Sequence, residues 1–184
     1  MDKATLRQHY KELRKNLSAT ERENASAAIL KQAATYFDLP HKKISLFLPI
    51  TRFLEINTWP FLKEIPADFY LPVVQENNQL AHIKYESMAQ IKVNDWGIPE
   101  PIFGDTIHVE LLDIVFVPLL AIDQKGYRVG YGKGFYDQFL INCNPKCIFV
   151  GLSYFDPIPE ISDLHEFDIP LHYCVTPTNV LKFS

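Results

Sequence analysis

Arg128, Lys133 and Asp137 are residues whose types and spacing could do chemistry together, and glycines separate them in the run RVGYGKGFYD. Glycine at every second position, Gly130, Gly132 and Gly134, lets the backbone take positive φ and lets a ligand approach closely. Successive N–H groups can then point into one concavity and hold a phosphate. Arg128 and Lys133 supply charge beside it. Asp137, one turn into a predicted helix, suits a hard cation such as Mg2+. Donors, cations and a carboxylate this close together suit a nucleoside triphosphate. The spacing differs from two common phosphate motifs. A P-loop would need glycine at Tyr127 and Ser or Thr at Gly134, and the dinucleotide fingerprint G-x-G-x-x-G has one more residue before its last glycine. Taken alone, the loop also fits a plain glycine-rich surface turn.

The elements that must position this loop are legible around it. Ile114 to Val117 is an apolar run of the kind found in strands buried on both faces, and Pro118 ends it. A turn is expected at Asp123, Gln124, Lys125 and Gly126, and a helix from Phe135 to Leu140. The order is buried strand, glycine loop, helix, with the helix adding its positive end. Upstream, Leu6, Tyr10, Leu13 and Leu17 make one stripe of a helix over 3–17. Lys3 and Arg7, at i,i+4, reach one spot on it, which also fits a solvated basic face. Ser18-Ala-Thr-Glu21 is a capping box opening a second helix over 19–36. Residues 43–49 and 147–152 read as strands, as does the final Leu171 to Thr176, and 69–74 with 79–85 as a hairpin turning at 75–78. A helix is expected from Thr58 as N-cap with Pro60 in its first turn. That leaves Glu55 at the carboxyl end of a strand, the edge where open α/β sheets bind ligands, although a surface acid at a helix entry fits as well. Trp96 to Pro101 reads as a stiff loop, and Trp96 suits either stacking on a flat heterocycle or anchoring a core. Strands alternating with helices predict α/β, a three-layer α/β/α sandwich around a largely parallel sheet with an N-terminal helical hairpin, in one domain over 1–184.

Composition narrows the classes. The chain has 184 residues, 47% hydrophobic, with a formal net charge of −4. Such a balance argues against a nucleic-acid binder. No apolar run is long enough to span a membrane, and the charged start MDKATLRQHYKELRK has no signal-peptide core, so cytoplasmic location is expected. The three cysteines, Cys143, Cys147 and Cys174, read as small buried hydrophobes rather than a disulfide or zinc framework. His82 reads as a hydrogen-bonded strand residue and His165 and His172 as structural.

The run VPLLAIDQKGYRVGYGKGFYD resembles the signature of the 5-formyltetrahydrofolate cyclo-ligase family, also known as 5,10-methenyltetrahydrofolate synthetases. Phe135 stands where the first of two paired tyrosines is usual, Tyr131 where some members carry Arg, and Phe167 where many carry His. The resemblance implies that Lys3, Arg7 and the loop from Arg128 through Val129, Gly130, Tyr131, Gly132, Lys133, Gly134, Phe135 and Tyr136 bind ATP, with Lys133 and Arg128 acting in catalysis. It implies that Ile50, Glu55, Trp96 and Tyr136 bind the folate and that Asp137 and Asp168 bind Mg2+. The expected activity is ATP-dependent closure of 5-formyltetrahydrofolate to 5,10-methenyltetrahydrofolate, with Mg2+ as cofactor and ATP as co-substrate. The partners expected are these small molecules, acting on a monomer, with no nucleic acid and no membrane. Two other readings stay open: a phosphosugar isomerase or CoA-transferase-like enzyme on a similar scaffold, or a non-catalytic nucleotide- or folate-binding protein.

Overall fold

A computed structural model describes residues 1–75 and 79–183. The elements in chain order are α1 (Lys3–Asn16), α2 (Ala19–Tyr36), β1 (Lys43–Ser45), α3 (Trp59–Glu64), β2 (Asp68–Val74), β3 (Leu80–Lys84), β4 (Ile91–Val93), β5 (Pro99–Pro101), β6 (Ile114–Pro118), β7 (Ala121–Ile122), β8 (Arg128–Val129), α4 (Phe135–Leu140), β9 (Ile148–Leu152), β10 (Tyr173–Val175) and β11 (Val180–Lys182). The tip predicted at 75–78 falls largely on residues 76–78, outside the described residues, but its flanking strands β2 and β3 pair antiparallel, Tyr70 to Lys84 and Val74 to Leu80.

The main sheet runs β11-β10-β9-β6-β1-β2-β3. Its inner pairings are all parallel, and the antiparallel strands β3 and β11 close the two edges. β6 is the axis, and its apolar run explains why. Along a strand, successive side chains point to opposite faces. Ile114 and Phe116 join α2 and α3 in one core, and Val115 and Val117 join α4 in the other. A strand covered on both faces must be apolar throughout. The result is the expected three-layer α/β/α arrangement.

The N-terminal helices start where predicted. Asp2 caps α1 by accepting from Thr5 N at 2.7 Å, and Ser18 and Glu21 form the capping box of α2. The two helices then serve different cores. α2 buries Ile29, Leu30 and Ala33 on the sheet. α1 buries Leu6 and Tyr10 against Leu120, Ala121 and Val129 of the β7–β8 region. The buried face of α1 continues to Arg14, not Leu17.

Four local expectations change. Thr58 is the N-cap of α3 but gives no side-chain cap; its hydroxyl is buried and donates to Phe47 O at 2.6 Å, so satisfying a buried donor outweighs capping. The expected loop at Trp96–Pro101 is a hairpin, with β4 and β5 pairing Ile91 with Pro101 and Val93 with Pro99; proline is tolerated because this small ribbon has free edges. A short β7–β8 ribbon is inserted between β6 and the glycine loop. Its turn is held by Asp123, which is buried and accepts from the N–H groups of Lys125, Tyr127 and Ile161. Finally, His82 lies in β3 as expected, but neither ring nitrogen has a hydrogen-bond partner. The ring packs on Phe139 at 4.3 Å, and burial lowers its pKa from 6.5 to about 3. His172 is structural, its Nδ1 accepting from Phe149 N at 2.9 Å.

Candidate active site

The glycine loop joins β8 to α4. Val129 is fully buried in β8 against α1 and brings only its backbone to the loop. Gly132 and Gly134 have φ of +91° and +70°, a region that costs other residues roughly 1–2 kcal/mol. A Cβ on Gly132 would also lie 3.4 Å from the Arg7 guanidinium. Arg7 reaches the loop from α1, its Nε donating to Gly130 O at 2.9 Å. Gly130 itself has an ordinary φ and nothing within 4 Å of a Cβ position. No protein atom forbids a side chain there, so the space in front of the loop is open to a ligand. Lys133 is exposed, and no hydrogen bond or ion pair engages it among the described residues. Phe135 opens α4, which runs only to Leu140. A helix this short carries a small macrodipole, so loop amides and side-chain cations must supply most of the positive potential.

The other predicted cations are already paired. Arg128 is buried: its Nη1 donates to Ile169 O and its Nη2 to Asp137 Oδ1, both at 2.6 Å. Burial lowers its pKa, opposed by the Asp137 charge and hydrogen bond. Asp137 Oδ1 also accepts from Ile169 N at 3.2 Å, and its Oδ2 takes no hydrogen bond among the described residues. Lys3 Nζ lies 2.6 and 2.5 Å from the two oxygens of Asp168. Burial pushes the Asp168 carboxyl up, but the His165 N–H and the Lys3 ammonium prevail and hold it below its usual range. The loop carrying Asp168 and Ile169 is therefore clasped from both sides, by α1 and by the β8–α4 region.

A second cluster lies beside the loop at the strand ends. Glu55 is 9% exposed, and its Oε2 accepts from Ile50 N at 2.7 Å, folding the 50–55 segment back on itself. Burial raises the Glu55 pKa, opposed by the Ile50 N–H, the Tyr131 hydroxyl and the charge of Arg14. Tyr131 leaves the glycine loop toward this cluster. Its ring stacks on Phe53 with centroids 4.5 Å apart, and its hydroxyl accepts from Arg14 Nη1 at 2.8 Å. Burial first, then the Glu55 charge, raise the Tyr131 phenol pKa, while Arg14 opposes them. Tyr136 carries a buried hydroxyl with no partner; burial and then Glu55 push its pKa up, and Arg128 pulls it down. A buried hydroxyl left without a partner beside an acid and a cation has hydrogen-bonding capacity to offer a polar ligand.

The structure thus brings Arg7, the glycine loop, Tyr131, Tyr136, Arg128, Asp137 and Glu55 into one region, with Lys3 and Asp168 beside it. It does not bring Trp96 into contact with them: Trp96 is 60% exposed at the β4–β5 turn, its N–H bonded to Asn94 Oδ1. The reading of the sequence missed Arg14, which is 3% exposed and donates to Leu119 O and Phe53 O as well as Tyr131. A signal existed, because Arg14 stands one heptad beyond Arg7 on the same helix face. It also missed Phe53 and Tyr154, whose hydroxyl donates to Glu55 O at 3.1 Å; nothing in their spacing marks them.

The residues present fit a Mg2+ that is shared with a phosphate. No group of three or more His, Cys, Asp or Glu that could hold a metal exists among the described residues. Mg2+ commonly uses one or two carboxylates and completes its shell with water and substrate phosphates. The free Oδ2 of Asp137 suits that role. Asp168 suits it once Lys3 moves aside. No helix among the described residues is long and apolar enough to cross a membrane.

Known proteins are similar to this chain in sequence and fold. A 5-formyltetrahydrofolate cyclo-ligase of Haemophilus influenzae is 31% identical over 175 residues, covering 90% of this chain and 92% of that protein. One from Escherichia coli is 32% identical over 137 residues, covering 70% and 75%. The solution structure of 5,10-methenyltetrahydrofolate synthetase from Aquifex aeolicus superposes with a TM-score of 0.81 at 32% identity, covering 99% of this chain and 93% of that one. With residues 1–176 matching its family pattern as well, the chain belongs to the 5-formyltetrahydrofolate cyclo-ligase family.

Proposed function

We propose that this protein closes 5-formyltetrahydrofolate to 5,10-methenyltetrahydrofolate, using Mg-ATP and releasing ADP and phosphate, with residues 1–184 as one catalytic unit. The observation that carries the reading is the adjacency of two unlike half-sites. One is an open glycine loop with a free Lys133. The other is a buried carboxyl, Glu55, and they meet through Tyr131.

The formyl oxygen is a poor leaving group and must be activated. It attacks the γ-phosphorus of ATP, forming an O–P bond as the bond to ADP breaks. N10 of the folate then attacks the formyl carbon, forming the new C–N bond and losing its proton, and the C–O bond to the phosphorylated oxygen breaks to release phosphate. Phosphoryl transfer asks the protein chiefly for positioning and charge neutralisation. Lys133 and the amides of Gly130 to Gly134 hold the phosphates, with Arg7 backing the loop through Gly130 O. Arg128 fixes Asp137 for the metal side. When bound at Asp137 and Asp168, Mg2+ supplies charge neutralisation to the phosphates. Glu55, Tyr136 and the Ile50 backbone face the folate. The reaction needs no covalent nucleophile. The free cysteines Cys143, Cys147 and Cys174 lie in the core around α4, β9 and β10.

The test is a spectrophotometric assay of purified protein with 5-formyltetrahydrofolate, with and without Mg-ATP. ATP-dependent growth of the methenyl chromophore is expected. Binding of Mg-ATP without turnover would overturn the reading in favour of a binding protein.

A further inference from the structure

Arg14 and Tyr131 join three segments that the activity alone does not require to be joined. Arg14 Nη1 donates both to Tyr131 Oη at 2.8 Å and to Phe53 O at 3.3 Å. Its Nη2 donates to Leu119 O, at the exit of β6. A buried arginine bonded to two loops and a strand end is a pivot, since moving any of the three breaks charge-assisted hydrogen bonds. Tyr131 completes the link from the loop side, stacked on Phe53 with rings 4.5 Å apart and 18° from parallel.

The 50–55 segment is built to transmit such a link. It winds through a 3-10 turn at Thr51–Phe53, and Leu54 follows at φ +51°, a conformation non-glycine residues rarely hold. Glu55 then returns to bond Ile50 N. A shift at Phe53 must therefore move Glu55, two residues on. On the other side, Tyr131 sits between Gly130, which Arg7 holds, and Gly132, at φ +91°. Phosphate contacts to those amides would set the Tyr131 backbone directly.

We propose that Tyr131 is a positioning residue that couples nucleotide binding to folate binding, because its stacked ring and Arg14-held hydroxyl make the glycine loop and the Glu55 segment move as one. The inference rests on the ATP and folate assignment above. A ligand that orders one segment lowers the ordering cost of the other, so each tightens its partner's affinity by the same factor. The geometry is particular to this chain's tyrosine: a residue without a ring would not stack on Phe53, and one without a hydroxyl would not accept from Arg14.

The experiment is calorimetric titration of the intact protein with 5-formyltetrahydrofolate, alone and saturated with Mg2+ and a non-hydrolysable ATP analogue. The wild type is expected to bind folate at least ~5-fold tighter with the analogue present, the lower end of ordinary coupling. Tyr131→Phe keeps the ring and removes the hydroxyl. Its coupling, read as the ratio of folate affinities with and without the analogue, should fall below ~2-fold. Phe53→Leu removes the stack from the other side and should act the same way, with melting curves confirming that both variants fold. Wild-type coupling retained in both variants would overturn the inference, as would two ligands that bind the wild type independently. Failure of the wild type to bind the analogue would overturn the ATP reading itself, and this inference with it.

Discussion

At the rim of the site Lys133 stands in solvent without a hydrogen-bond or ion-pair partner among the described residues, while Arg128 nearby is buried, with one end of its guanidinium on Ile169 O and the other on Asp137. Both are cations in one short run, and the sequence alone gives them the same task. The structure separates them. A solvated ammonium is free to exchange water for phosphate at little cost. A buried guanidinium must have its donors satisfied, so removing either partner leaves an expensive group behind. In the proposed function the rim supplies groups to the ligand, and the layer beneath supplies the geometry that holds them. Loss at the rim should appear in catalysis, and loss beneath it in stability.

The largest effect expected is on the buried side. Arg128→Ala strands Asp137, whose side chain is 28% exposed, and should cost roughly 3 kcal/mol, the low end for breaking a buried pair. For a chain of this size that is a fall of roughly 6–12 °C in melting temperature. A variant with unchanged melting but lost turnover would break the contrast and place Arg128 on the phosphates. Next comes the rim. Lys133→Ala should lower turnover at least ~10-fold, about 1.4 kcal/mol of transition-state stabilisation, with melting unmoved. Near-wild-type turnover would remove Lys133 from the phosphoryl step.

The smallest effect tests a buried group whose ring nitrogens have no hydrogen-bond partner among the described residues. His82 has a folded pKa of about 3 against 6.5. Its folded form resists the proton that the unfolded chain accepts, so its share of stability is complete above pH 6.5 and is lost as pH falls from there toward 3. Melting temperatures at pH 7.5 and pH 5 read this directly: His82→Leu should show a shallower acid loss than wild type. Equal losses would mean that the folded chain takes up the proton at His82 as readily as the unfolded chain, so that burial does not depress its pKa.

Much of the molecule was legible beforehand where one local rule dominated. The apolar run at Ile114–Val117 announced the central strand, because only a strand covered on both faces tolerates it. Ser18 and Glu21 announced α2, and Gly130, Gly132 and Gly134 announced the loop. Legibility failed where a side chain had a distant partner. Thr58 was read as a cap from its position, but Phe47 O claims its hydroxyl. His82 was read as hydrogen-bonded and has no partner. The reading of the sequence did not single out Arg14 from the other charges of its helix, yet it is buried and bonded to two loops.

The sequence by itself determined the family and the alternation of strands and helices. The family follows from the resemblance of the run Val117 to Asp137, and the alternation from periodicity and residue types read over a few positions. Only the tertiary structure decided which charges are free and which are consumed. Lys3 against Asp168, Arg128 against Asp137, and Arg14 against Tyr131 are pairings between separate elements, two of them between the first helix and segments more than a hundred positions away. Whether a charge is available to a ligand depends on its burial and its partner, and both come from packing at a distance that no local pattern encodes.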